Sequence, residues 1–179
     1  VGLVPCETIV ARLRFSNFKS LKAQAQPDGN FSTVAYPNPE DPAALRLSVE
    51  EMLATNADVV YGTDPDCDRL GVVVNHHGSP VYLNGNQIGA IFLNYVFKTR
   101  QRLGRLGQKP LVVRSIVTSP LQDAIAAKYG GEVIATLTGF KWMADAIRQL
   151  EEKKSGHSFV FASEESFGYM PHNECRDKD

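Results

Sequence analysis

Three observations predict an α/β fold. Short apolar runs alternate with segments whose apolar residues recur at helical spacing. Pro and Gly stand at the junctions between these segments. The residues able to do chemistry gather just after the apolar runs, where α/β sheets collect ligands beyond the carboxyl ends of strands. Composition agrees. Of 179 residues, 43% are hydrophobic and 22% charged, which suffices for a packed core and for one large or two small domains. Aromatics at 9% argue against disorder. No apolar run nears the roughly 20 residues of a spanning helix, so no membrane partner is expected. A net charge of −1 gives no pull toward nucleic acid. Cys6, Cys67 and Cys175 are odd in number and widely spaced. That suits a reducing, cytoplasmic setting without a disulfide framework.

The elements follow in order. Residues 8–15 read as the end of a short helix and 21–25 as a strand. Asp41-Pro42 is a cap followed by Pro at the first helical position. The helix it opens carries Leu45, Val49, Met52 and Leu53 on one face. Residues 57–61 and 70–74 read as strands, and His76-His77-Gly78-Ser79 turns the second toward residues 81–83. A helix over about 86–103 has Ile88, Ile91, Phe92, Tyr95 and Val96 apolar, with Gly104 as a stop. Residues 111–117 read as a buried strand, Ser119-Pro120 opens a helix and Gly130-Gly131 closes it. Residues 132–135 form a strand. Phe140, Met143, Ala144, Ile147 and Leu150 make one helical face, and 158–162 is the last strand. The hairpin ends near Tyr82 to Gly85, which predicts two domains, residues 1–82 and 83–179. Residues 1–80 carry net −4 and residues 81–179 net +3. The plain reading is sampling noise; the sharper one is an acidic, metal-holding half beside a basic half that meets an anionic substrate. The chain opens Val-Gly-Leu-Val without Met and stops in a polar stretch, which reads as a piece of a longer protein.

The strongest local signal is Asp64-Pro65-Asp66-Cys67-Asp68-Arg69. Three carboxylates at alternate positions converge on one ion if the loop curls, and hard oxygens suit Mg²⁺, Ca²⁺ or Mn²⁺. An EF-hand fits poorly, because its Gly position holds Arg69 and its Glu position holds Asn75. The plain alternative is a solvated acidic turn. Arg69 suits a phosphate bridging it and the metal; the alternative is simple neutralisation of the aspartates. In Ser163-Glu164-Glu165-Ser166, Glu164 and Ser166 share a face in an extended loop, as sugar hydroxyls require. The alternative is an acidic helix N-terminus. Thr138-Gly139-Phe140-Lys141-Trp142 is a Gly-hinged helix start where Lys141 could meet a phosphate, or else a locally packed cap. Arg176-Asp177-Lys178-Asp179 by itself reads as a solvated charge run.

Together these residues resemble the α-D-phosphohexomutase family. Tyr36-Pro37-Asn38-Pro39-Glu40-Asp41-Pro42, the Asp64–Arg69 loop, Thr138–Trp142, Glu164–Gly168 and Arg176–Asp179 match its segments in family order. Pro65 and the wording around Thr138 stand closest to the phosphoglucomutase/phosphopentomutase branch. The resemblance implies two consecutive three-layer α/β domains with mixed sheets, the second and third of a four-domain enzyme. It implies Mg²⁺ on Asp64, Asp66 and Asp68, and Arg69 on the transferring phosphoryl group. Glu164, Ser166, Lys141, Thr138 and Gly139 would bind the phosphosugar, and Lys178 would act as general acid or base. The implied reaction interconverts sugar 1-phosphate and 6-phosphate, glucose foremost, through a phosphoserine and a sugar 1,6-bisphosphate. The Ser-His-Asn loop and fourth domain of that enzyme do not occur in these 179 residues, so the chain is expected to depend on the remaining domains of a parent chain and to be inactive alone. Two other readings are an aspartate-nucleophile phosphohydrolase using Asp64 and a non-catalytic Ca²⁺- or sugar-binding module.

Overall fold

The computed structural model describes residues 2–178. The chain divides between Leu83 and Asn84 into two compact units. In the first, helix α1 (Leu3–Arg12) and a 3-10 turn (Lys22–Gln24) precede a 3-10 helix (Pro42–Leu45) that runs into α2 (Arg46–Thr55). Asp41 caps the 3-10 helix by accepting from the Ala43 N–H at 2.9 Å. Asn56 ends α2 in the left-handed conformation, which Asn tolerates better than most residues. Strands β1 (Val59–Thr63), β2 (Leu70–His76) and β3 (Ser79–Leu83) pair antiparallel in that order, with Val60 opposite Val73 and Val72 opposite Leu83. Leu45, Val49, Met52, Val60 and Val73 form the core.

The second unit contains α3 (Gly85–Arg102), β4 (Pro110–Ser115), α4 (Leu121–Lys128), β5 (Glu132–Thr136), α5 (Phe140–Glu152), β6 (Ser158–Glu164) and β7 (Gly168–Met170). Its mixed sheet has the order β5-β4-β6-β7, parallel for β5, β4 and β6 and antiparallel for β7. Strand periodicity assigns its two faces. Leu111, Val113 and Ala162 meet Phe140, Met143 and Ile147 of α5. On the opposite face, Ser163 meets Gln122 of α4 at 2.8 Å and the Tyr169 hydroxyl donates to the Gly85 carbonyl at 3.2 Å. Helix α3 starts on a capping box in which Asn84 and Gln87 each satisfy the other's backbone N–H. Fully buried Phe97 of α3 stacks on Tyr129 with ring centroids 4.9 Å apart.

The structure corrects several expectations. Residues 21–25 hold a 3-10 turn and no strand, because nothing pairs with them in the sheet. Leu53 is exposed, since the buried arc of this short helix is filled by Val49 and Met52. Ile91 and Tyr95 are exposed as well; α3 instead buries Ile88, Gly89, Leu93 and Phe97 at i, i+1, i+5 and i+9. Ile116 and Val117 fall beyond β4 and are exposed. Pro120, not Ser119, occupies the N-cap of α4, although the Ser119 hydroxyl accepts from the Leu121 N–H at 3.2 Å. Strand β7 has no counterpart among the elements expected from the sequence. Among the described residues no helix is long and apolar enough to cross a membrane.

Two predictions test this packing. Phe97→Ala should destabilise the second unit by about 3–5 kcal/mol, read from denaturant unfolding. Arg114 holds Asp123 through a paired contact at 2.7 and 2.8 Å, and that guanidinium lowers the Asp123 carboxyl below its ordinary value. A lowered folded value contributes stability above the unfolded carboxyl's range, and that stability is lost as pH falls through the folded value. Acid unfolding of Asp123→Asn should therefore lack this contribution, with the difference from the parent chain narrowing as pH drops below about 4.

Candidate functional site

The Asp64–Arg69 loop joins β1 to β2 and begins at the carboxyl end of β1. One oxygen each of Asp64, Asp66 and Asp68 lies within 4.8 Å of the others. The loop curls because Asp64 folds it. Its Oδ1 accepts from the backbone N–H groups of Asp68 and Arg69, both at 3.1 Å, and its carbonyl accepts from the Cys67 N–H at 3.1 Å. Cys67 takes a left-handed backbone, φ 67°, which turns Asp66 and Asp68 to the same side. Burial pushes the Asp64 carboxyl up, the Arg69 N–H pulls it down, and the nearby Asp68 and Asp66 charges add to the rise. Three crowded hard-oxygen donors, one of them partly desolvated, fit a hard divalent cation in charge and chemistry. Arg69 Nε lies 3.6 Å from Asp64, and its Nη1 donates to Glu40 at 3.3 Å. In the sequence Glu40 stands out only as part of its segment. Beside this pair, Pro39 lies against Gly71, where a Cβ would come within 2.9 Å of the Pro39 carbonyl.

In the second unit, β4, β5 and β6 end at one edge of the sheet, and their loops meet there. Glu164 is the last residue of β6 rather than a loop residue, and it is buried. Its carboxylate accepts from the Gly139 N–H and, at 3.4 Å, from the Ser166 hydroxyl. The structure thus brings Gly139, Glu164 and Ser166 together. Gly139 caps α5 with φ 118°, a conformation that a side chain resists. Thr138 is exposed beside it, and exposed Lys141 places its ammonium 5.2 Å from the Trp142 ring centroid. Lys178 folds over Gly168: a Cβ there would meet Lys178 Cδ and Phe140 Cε2, each at 2.9 Å. Upstream of it, Arg176 and Asn173 tie this segment to Glu151 at 2.6 and 2.8 Å. Asp179 of the same motif lies outside the described residues. Sequence reading missed Glu165, whose carboxylate accepts from Ser115 and Thr118 at 2.9 and 3.1 Å. The only advance signal was the placement of Thr118 in a strand-end loop.

Fold and loops define an α/β protein with charged and polar side chains gathered at the carboxyl ends of its strands. A family model described as phosphoglucomutase/phosphomannomutase, alpha/beta/alpha domain II matches residues 1–78, and the corresponding domain III model matches residues 84–179. The chain belongs to the phosphoglucomutase/phosphomannomutase family, of which it comprises domains II and III. Over its whole length it is 41% identical to a phosphoglucomutase of Staphylococcus aureus strain bovine RF122 / ET3-1 and 40% identical to that of strain N315. It spans 31% of the length of each. Among solved structures it resembles a protein described as a phosphomannomutase from Thermus thermophilus, with TM-score 0.66 and 26% identity over 87% of this chain and 31% of that one. The Paramecium phosphoglucomutase pp63/parafusin shares the fold, with TM-score 0.64 and 21% identity over 96% of this chain and 28% of that one. These relatives do not favour the phosphohydrolase and binding-module readings.

Gly168→Ala should force Phe140 or Lys178 aside and cost about 1–3 kcal/mol, measured by thermal unfolding.

Proposed function

We propose that the chain supplies the metal-binding and sugar-binding domains, residues 1–82 and 83–179, of a phosphoglucomutase-type enzyme. That enzyme would interconvert sugar 1-phosphate and 6-phosphate, glucose foremost, through a phosphoserine and a sugar 1,6-bisphosphate supplied by the whole protein. The single observation that carries this reading is the convergence of Asp64, Asp66 and Asp68 within 4.8 Å in a chain of this family. Those three carboxylates would hold Mg²⁺. A bound Mg²⁺ supplies positive charge to phosphoryl oxygens during transfer.

The chain's own residues take the remaining roles. Arg69 would place its planar fork on the transferring phosphoryl group, exchanging its Glu40 contact for phosphate oxygens. Glu164 would accept from one sugar hydroxyl and Ser166 would bond its neighbour. Such a grip suits two orientations of one sugar, because vicinal hydroxyls offer similar donors and acceptors after the ring turns over. Thr138, Gly139 and Lys141 would meet the substrate at the start of α5, where Lys141 brings positive charge to a phosphate. Lys178 would hold or release a proton as general acid or base. A cytoplasmic setting and dependence on the other domains of a parent chain belong to the same reading.

Asp66 is the sharpest test. It is exposed and makes none of the backbone contacts by which Asp64 holds the loop, so Asp66→Asn should leave the fold intact. Calorimetry should show Mg²⁺ binding by the 179-residue chain, weakened at least about tenfold in Asp66→Asn. The same chain should show no mutase turnover. Undiminished Mg²⁺ affinity in the variant, or turnover by the isolated chain, would contradict the proposal.

A further inference from the structure

In the turn between β6 and β7 the Ser166 hydroxyl donates to Glu164 at 3.4 Å, while the residue between them, Glu165, reaches a different set of partners. Its Oε2 accepts from the Ser115 hydroxyl at 2.9 Å and from the Thr118 hydroxyl at 3.1 Å. Those hydroxyls lie 2.7 Å apart, and both residues are essentially inaccessible to solvent. The segment that presents them is itself locked. The Thr118 N–H donates to Ser115 Oγ at 3.2 Å, the Ile116 N–H to the Thr136 carbonyl at 2.8 Å, and the Ser119 N–H to Asn86 Oδ1 at 2.8 Å. The backbone of the same turn rests on the first residue of α3. A Cβ at Gly85 would collide with the Glu165 carbonyl oxygen and stand 3.0 Å from the Phe167 nitrogen. Phe167 completes the turn with φ 66°.

From this clamp we propose that Glu165 is a positioning residue: gripped by Ser115 and Thr118, it sets the orientation in which Glu164 and Ser166 meet sugar hydroxyls. The proposal rests on the sugar-binding reading of that loop. The physical reason is that Glu165 opens the tight turn that carries Ser166: its carboxylate is held by Ser115 and Thr118 and its carbonyl lies against Gly85, so the turn's backbone is pinned at its first residue. Pinning the middle residue fixes the backbone from which the side chains of buried Glu164 and half-buried Ser166 leave on either side of it. Hydrogen bonds to an ionised acceptor are short and directional, so the clamp fixes an angle where an apolar contact would fix only a depth. Glu164 adds the link to Gly139, so loosening Glu165 should also release the start of α5.

The test compares Glu165→Ala with Glu165→Gln in the 179-residue chain. Hydrogen exchange of the Gly139 amide reads the loop without any ligand, and an NMR titration with glucose 1-phosphate reads the sugar contact. Glu165→Ala should speed Gly139 exchange and weaken glucose 1-phosphate binding, each by about tenfold, the size expected for losing buried hydrogen bonds. Glu165→Gln, whose amide oxygen still accepts from both hydroxyls, should restore both to within about threefold of the parent chain. Mg²⁺ affinity should stay unchanged in both. Gly139 exchange equal in Glu165→Ala and the parent chain would overturn the positioning role, as would failure of Glu165→Gln to rescue. If the parent chain binds no glucose 1-phosphate, the sugar-binding reading fails while the exchange contrast still decides the clamp. If Glu165→Ala does not fold, Thr118→Val removes one donor at nearly constant shape. Faster Gly139 exchange in that variant supports the clamp, and unchanged exchange overturns it.

Discussion

Parallel pairing of β4 with β5 and β6 is the constraint on which the second unit depends. Parallel neighbours run the same way, so three carboxyl ends reach one edge of the sheet and three loops must share it. Loops at such an edge carry backbone and side-chain groups that need partners. Here they partner one another. The Gly139 N–H is taken by Glu164, and Glu165 is taken by Ser115 and Thr118. Residues some 25 to 50 positions apart in sequence thereby settle one local geometry. The helices contribute at the same edge: α5 starts at Gly139, and the α3 start at Gly85 lies under the turn between β6 and β7.

The first unit works under a different constraint, which is like charge. Asp64, Asp66 and Asp68 crowd a loop of six residues in which the side-chain cation is Arg69. Asp64 spends one oxygen on two backbone N–H groups and leans the other toward Arg69. Arg69 is shared in turn with Glu40. The result is a loop whose shape is internally fixed while its acidity is only partly offset, the condition under which carboxylates attract a hard cation.

Much of this was legible from local pattern. The Asp-Pro cap before α2, the hairpin at His76 to Ser79 and the amphipathic face of Phe140, Met143 and Ile147 each depend on neighbours a few positions away, and each stands in the structure. The clustering of the three aspartates was legible for the same reason. Errors arose where burial is decided by partners distant in sequence. Residues 21–25 alternate apolar and polar side chains as a strand would, yet no strand pairs with them. Ile91 and Tyr95 of α3 have apolar spacing, yet they turn away from the packed face. Ile116 and Val117 continue an apolar run past the point where β4 stops. Glu165 was invisible because its partners lie about 50 residues upstream.

By itself, then, the sequence determined the fold class, most element positions, the carboxylate loop and the family. All of these are written in short-range spacing and in motifs that keep their order along the chain. Tertiary structure alone decided which of two adjacent glutamates meets Gly139 and which meets Ser115 and Thr118, that Arg69 is shared with Glu40, and that Lys178 lies over Gly168. Those choices depend on strand register and on close approach of backbone from separate elements. Residue types at fixed local spacing carry no record of either.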